Sequence, residues 1–287
     1  MALFEIVPNL SEGRNDATID AAAAAAEACG ARVLHRTSDP AHNRSVLTIA
    51  GSASEVLDAS VALAGVAAER IDLRTHRGVH PRIGALDVLP FVPLRDASLA
   101  DAAALARAAG ERIWERLRIP AFLYGAAATN PARVLLAEVR KGEFEGLEAR
   151  FADPAWRPDT GTIARHESAG AIAIGARNVL IAYNVELATG DLAVARAIAR
   201  ELRERGGGLR SLRALGLRLD PQRVQVSLNV TDYQAVPLYR LYELVAHLAR
   251  RHGTGVTGSE LIGCLPRRAV EDTARYYLGI PPLVDRH

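Results

Sequence analysis

The sequence predicts an α/β protein of α+β type. It is read as two tandem βαββαβ-like sandwiches with largely antiparallel sheets and helices on one face of each. Three observations carry this reading. Strand-like and helix-like runs alternate along the 287 residues. The same order of elements occurs twice. Between the two series lies a stretch, 142–177, with prolines, glycines and polar residues but no clear period. A chain this long suits one large domain or two modest ones. The boundary is placed after residue 177, giving a first subdomain 1–177 that includes 142–177 as a crossing loop, and a second subdomain 178–287. Two such halves predict a ligand cleft between them.

The elements follow in order. "LFEIVP" reads as a strand, "NLSEGRND" as a turn in which Asn15 or Asp16 caps a helix over 16–28. "ARVLHRT" and "RSVLTIAG" are strands joined by the polar turn "SDPAHN", and 53–70 has helical periodicity. A strand over 84–92, a helix over 98–117, a strand over 121–125 and a helix near 130–141 complete the first series. The second opens with the strand "NVLIAYNVEL" and a helix over 190–205 begun by "TGD". "LRSLRALGLRL" and "RVQVSLNVTD" are strands joined by "DPQ". A helix over 237–251 with proline in its first turn, the strand "GTGVTGSELIG" and a helix over 267–278 finish it.

Composition narrows the function. Hydrophobic residues make up 49% and charged residues 24%, the profile of a folded globular chain. The net charge of +2 is too balanced for a general nucleic-acid binder. No apolar run approaches the roughly 18 residues that span a bilayer, so no membrane partner is expected. The N-terminus has no basic leader with an apolar core, and predicts no signal peptide. Cys29 and Cys264 are the only cysteines, and read as two buried thiols rather than a disulfide, in a cytoplasmic protein. Lys141 is the only lysine, every other base being arginine. Arginine forks bind carboxylates in a bidentate way, so the chain is well supplied for small anionic ligands.

The chemistry concentrates in 74–90, "RTHRGVHPRIGALDVLP". His76 and His80 are four apart, which on a helix would suit a metal. Gly78 between them and Pro81 after them argue against a helix, because a proline drives its predecessor into extended conformations. No metal-ligand motif lies near, and no metal is expected. His80, before an apolar strand and among Arg74, Arg77 and Arg82, suits an acid–base imidazole; the alternative is a structural histidine bonded to backbone. His76 either orients it or the substrate, or is a solvated loop residue. "GAIAIGAR" lacks the Gly-Lys-Ser/Thr of a phosphate loop.

Seven stretches in order, "VPNLSEGRN", "DPAHNRSVLTIAG", "HRGVHPRIGALDVLPFVP", "FLYG", "WRPDTG", "GARNVLIAYNVEL" and "GSELIG", resemble the glutamate formiminotransferase family over nearly the whole chain. The resemblance is to the transferase part of the bifunctional vertebrate members, without their cyclodeaminase. It implies transfer of a formimino group from N-formiminoglutamate to N5 of tetrahydrofolate in histidine degradation. Tetrahydrofolate is then a co-substrate, the assembly a homodimer, and a separate cyclodeaminase a possible partner. It also implies that His80 is the catalytic acid–base. The folate-binding segment maps onto Gly161, Thr162, Ile163, Ala164, Arg165, His166, Glu167, Ser168, Ala169 and Gly170. The turn holding Asn9 and Ser11 falls near the site.

Both substrates are anionic, and Arg44 and Arg82 are the candidate carboxylate holders; the alternative for either is a structural ion pair, for instance Arg82 with Asp87. Some family members carry an aspartate where this chain has Thr37, and Asp39 is the candidate to support the histidine instead. One imidazole can take a proton from N5 and return it to the departing glutamate nitrogen. Three rivals stand beside this reading: formyl transfer from N-formylglutamate, a non-catalytic folate- or ligand-binding module, and a metal-dependent hydrolase.

Overall fold

The computed structural model describes residues 1–78 and 80–281, so the last six positions of the second predicted subdomain lie outside the described residues. Two compact units divide after Asn178. Both are mixed α/β with mostly antiparallel sheets.

In the first unit the opening strand is broken by Val7 and Pro8 into β1 (Leu3–Ile6) and β2 (Asn9–Leu10). Both lie antiparallel between β4 (Arg44–Gly51) and β5 (Leu86–Arg95), with β3 (Arg32–Asp39) on the edge against β4. Three helices, α1 (Asp16–Ala28), α2 (Ala53–Arg70) and α3 (Leu99–Leu117), pack side by side over this sheet. Their starts are written in the sequence. Asn15 caps α1 by accepting from the Thr18 N–H, and Ser52–Glu55 and Ser98–Asp101 form reciprocal capping boxes on α2 and α3. Ile6, Leu47, Ile49, Leu63, Leu89 and Phe91 are fully buried between the layers. Each such side chain contributes about 1.5–3 kcal/mol.

Beyond β5 the first unit departs from the sequence reading. The stretch 142–177 is not a crossing loop. It packs Phe144, Leu147 and Phe151 into the first core, forms a short helix and ends in a strand. After β6 (Ala121–Gly125) come two one-turn helices, α4 (Leu136–Val139) and α5 (Leu147–Phe151), and then β7 (Ile172–Ala176). β7 inserts between β5 and β6, parallel to both. All five of its residues are buried, as expected for a parallel strand covered on both faces. The helix expected near 130–141 is likewise interrupted. Leu135 is extended, and the Val134 carbonyl accepts from the Gly125 N–H instead of continuing a helical ladder.

The second unit is a plain βαββαβ: β8 (Ile181–Leu187), α6 (Leu192–Leu202), β9 (Leu212–Asp220), β10 (Arg223–Val230), α7 (Leu238–Arg251) and β11 (Val256–Ile262), followed by α8 (Arg267–Leu278). Its sheet runs β11-β8-β10-β9, antiparallel throughout. That is the order the first unit shows in β5-β1-β4-β3. No helix among the described residues is long and apolar enough to cross a membrane.

Candidate functional site

Four loops of the first unit come together: the 11–15 turn after β2, the 39–44 turn joining β3 and β4, the 72–82 loop before β5, and residues 140–145 after α4. Glycines let them approach. A Cβ on Gly13 would lie 2.4 Å from the Asp39 carbonyl, and one on Gly78 would lie 2.5 Å from the His42 carbonyl. Ser11 is buried, its hydroxyl donating to the Gly84 carbonyl at 2.7 Å and its N–H to Ala85. It ties the turn to the start of β5 and has no donor left over.

The floor is a buried charge cluster on Asp87, which is wholly inaccessible in β5. Asp87 accepts from Arg44 Nη1 at 2.8 Å, Arg140 Nη2 at 2.6 Å and the Ile83 N–H at 2.8 Å. Burial raises the Asp87 carboxyl, but the two guanidiniums and the hydrogen bonds outweigh it and hold it below the usual carboxylate range. Arg44 also donates to Asn9 Oδ1 through Nε and Nη2. Two guanidiniums on one carboxylate leave an excess positive charge.

His80 sits beside this cluster, partly buried. Its Nδ1 lies 2.7 Å from the Pro81 carbonyl. A carbonyl only accepts, so Nδ1 carries the hydrogen and Nε2 presents a lone pair. Among the described residues no hydrogen-bond partner is placed at Nε2. Burial, then Arg44 and Arg140, push the imidazole down to about 4. The ring is therefore neutral near pH 7, with the Nε2 lone pair open.

His76, four residues earlier, has both nitrogens occupied and is buried. Nε2–H donates to the Asn43 carbonyl at 3.1 Å, and Nδ1 accepts from Arg82 Nε at 3.2 Å. Burial lowers its pKa as well. It is thus not a solvated loop residue, and its ring nitrogens bond Asn43 and Arg82 rather than His80. It is a strut between the 39–44 turn and Arg82. Arg82 does not pair with Asp87 as the sequence suggested. Its fork is taken by Glu145, at 2.7 and 2.9 Å, and by Glu143 at 3.0 Å. Those carboxylates lie some sixty residues away in the stretch first read as loop, beyond the reach of local pattern reading. Asp39 supports a different histidine from the one expected: its carboxylate bonds His42, whose ring meets that of His80 edge-on with centroids 6.3 Å apart.

Two open cavities flank His76 and Arg77, of about 580 and 470 Å³. The larger is lined by Arg74, Arg82, Phe144 and Arg165 among others. Arg165 lies over the Phe144 ring at 4.1 Å. The 161–170 segment reaches this cavity through Arg165. Gly161, Thr162, Ile163 and Ala164 are exposed. His166 and Gly170 bond each other at 2.9 and 3.0 Å to close a tight turn, Glu167 pairs with Arg74, and the Ser168 and Ala169 carbonyls accept from Leu73 and Ala85. So the segment abuts the 72–85 loop. Neither cavity is lined by His80, which lies on the Asp87 side of the same loop. Among the described residues no group of three or more His, Cys, Asp or Glu side chains is placed to hold a metal ion.

Sequence reasoning left out Arg140, Glu143, Glu145, Asn43 and His42 as site residues. Asp87 had a visible signal: a lone carboxylate inside an apolar strand is rarely buried without partners.

Fold and site together define an α/β protein whose first unit gathers a neutral imidazole and arginine-lined cavities onto strand-end loops. The model of the formiminotransferase domain's N-terminal subdomain matches residues 3–177, and the model of the formiminotransferase domain matches residues 182–283. The chain belongs to the formiminotransferase family. It is 42% identical over 280 residues to a protein of Streptococcus pyogenes serotype M1 named glutamate formimidoyltransferase, covering 97% of this chain and 94% of that one. A Thermoplasma acidophilum protein of the same name is 43% identical over 282 residues, covering 97% and 93%. The formimidoyltransferase-cyclodeaminase of Rattus norvegicus is 38% identical over 283 residues, and the match spans 52% of its length.

Proposed function

We propose that this protein is an enzyme that transfers the formimino group of N-formimino-L-glutamate to N5 of tetrahydrofolate, giving 5-formiminotetrahydrofolate and L-glutamate, in histidine degradation. One observation carries the reading: near full-length identity of 42–43% to two proteins named for that activity. The formyl-donor alternative is not favoured, since both names specify the formimidoyl group.

The chemistry asks for little beyond proton handling and placement. N5 attacks the amidine carbon, a tetrahedral intermediate forms, and the bond to the glutamate nitrogen breaks. His80 Nε2 is the base that takes the N5 proton, and Nδ1–H on the Pro81 carbonyl keeps the ring in that tautomer. Such proton transfer supplies about 10²–10⁴-fold. Holding two substrates together supplies roughly 7–11 kcal/mol more. The larger cavity, with Arg77 and Arg165 in its wall, suits carboxylates of the donor and of the folate tail; the Arg74 fork there is held by Asp72 and Glu167. Arg44 and Arg82 act from behind, their forks being held by Asp87, Glu143 and Glu145. Asn9 orients Arg44, and the 161–170 segment forms the folate side through Arg165.

Residues 1–177 and 178–287 are the two subdomains in this reading. The protein works as a cytoplasmic homodimer; Cys29, half-buried, and Cys264, exposed rather than buried as expected, are not joined in a disulfide, which suits a reducing compartment. A separate cyclodeaminase takes the product, a role suggested by relatives twice as long. The test is a coupled assay with tetrahydrofolate and either donor. Formiminoglutamate is expected to give 5-formiminotetrahydrofolate, and N-formylglutamate little. Turnover of the formyl donor alone would overturn the reading.

A further inference from the structure

A second imidazole stands at the site unused. Asp39, at the end of β3, accepts the N–H groups of Ala41 at 2.8 Å and His42 at 3.0 Å through Oδ1, and its Oδ2 bonds His42 Nδ1. A carboxylate only accepts, so Nδ1 carries a hydrogen here too, and Nε2 is the edge at which a proton is held or released. Burial pushes the Asp39 carboxyl up, but hydrogen bonds from the His42 backbone and ring outweigh it and keep it ionised. The rings of His42 and His80 meet edge-on, centroids 6.3 Å apart, and Gly78 packs against the His42 carbonyl. The surroundings of the two rings differ in sign. His80 faces the guanidiniums of Arg44 and Arg140, partly offset by Asp87. His42 faces the carboxylate of Asp39, the counter-charge an imidazolium needs. Neighbouring groups in environments of opposite sign are the pattern in which acid and base roles divide.

We propose that His42, held by Asp39, is the proton donor to the departing glutamate nitrogen, while His80 takes the proton from N5. The inference rests on the formimino-transfer reading and deepens it. The N5 lone pair forms the new N–C bond, and the C=N π pair moves to the imino nitrogen. His80 Nε2 accepts the N5 proton. The bond from the formimino carbon to the glutamate nitrogen then breaks, its electron pair staying on that nitrogen, which takes the proton from His42 Nε2. The imino lone pair re-forms C=N. The cycle closes when the proton on His80 returns to His42 through solvent, which reaches both rings.

The experiment compares wild type, His42→Gln and His42→Ala in the transfer assay across pH, with thermal unfolding measured alongside. His42→Gln is expected to lower kcat about 10²-fold and leave both KM values within about 3-fold. Added imidazole is expected to restore part of the His42→Ala rate. Wild-type turnover in His42→Gln overturns the proposal, as does a rise in KM at unchanged kcat. If the variants lose stability as well as rate, failure of imidazole to rescue His42→Ala overturns it. A wild type that transfers no formimino group marks failure of the underlying reading instead.

Discussion

The two units repeat one topology and differ in what they bury. In the second, the core of the β11-β8-β10-β9 sheet is Val185, Val226, Leu228 and Leu241, and Asn184 and Gln225 are its buried polar residues among those described. In the first, the same strand order surrounds Arg44, His76, Arg82 and Asp87, all buried and charged or titratable. The contrast shows that the βαββαβ frame carries no chemistry by itself. What differs is the loops of the first unit and the extra β6–β7 extension, whose approach brings in Arg140, Glu143 and Glu145 to meet charges that could not otherwise stay buried. A second contrast lies within one loop. His76 has both nitrogens satisfied and braces; His80, four residues on, keeps one lone pair open.

The comparison can be broken at several points. The largest effect on stability is expected from Asp87→Asn, which leaves two guanidiniums without their counter-charge and costs about 3–5 kcal/mol in chemical unfolding. The pH dependence has a definite sign. The folded pKa of Asp87 is depressed, so its stabilisation is present above the unfolded value of about 3.9 and is lost as pH falls through the folded one. His80 acts in the same direction higher up: its folded value of about 4 lies below the reference 6.5, so stability declines as pH drops from 6.5 towards 4. Unfolding curves of wild type should therefore weaken progressively on acidification, and Asp87→Asn should respond less below pH about 4. Leu228→Ala, in the apolar core of the second unit, should cost about 2–5 kcal/mol with no such pH signature.

Smaller effects sharpen the reading. In an NMR titration the His80 ring should change charge near pH 4, and Arg140→Met should move that midpoint upward by removing one of the two cations that depress it. A midpoint unmoved by the variant would mean that Arg140 does not depress it, leaving burial and Arg44. Ser52→Ala should remove half a capping box from α2 and about 1 kcal/mol of stability, with kcat unchanged.

Local signals made much of this molecule legible. The capping residues and apolar periods placed α1 at 16–28, β6 at 121–125 and α8 at 267–278, where the structure has them. β7 was missed because "AIAIGA" is a run of small apolar residues between glycines, and a fully buried parallel strand has no alternation to read. Its neighbour α5 did leave a trace: Phe144, Leu147 and Phe151 fall at helical spacing, masked by the prolines and glycines around them. At the site, the non-helical setting of His80 was legible because Pro81 and Gly78 remove the helical alternative. The ion pairs were not. Arg82 with Glu145, Arg44 with Asp87 and Arg140 with Asp87 join residues 63, 43 and 53 apart, and nothing in local sequence selects one carboxylate over another at such range.

The central claim is that a neutral imidazole at residue 80 removes the proton from the attacking amine. Single-turnover transfer with His80→Ala, saturated with formiminoglutamate and tetrahydrofolate, tests it directly. The account predicts that the variant binds tetrahydrofolate as wild type does and forms product about 10²–10⁴-fold more slowly. Product formation at the wild-type rate would contradict it.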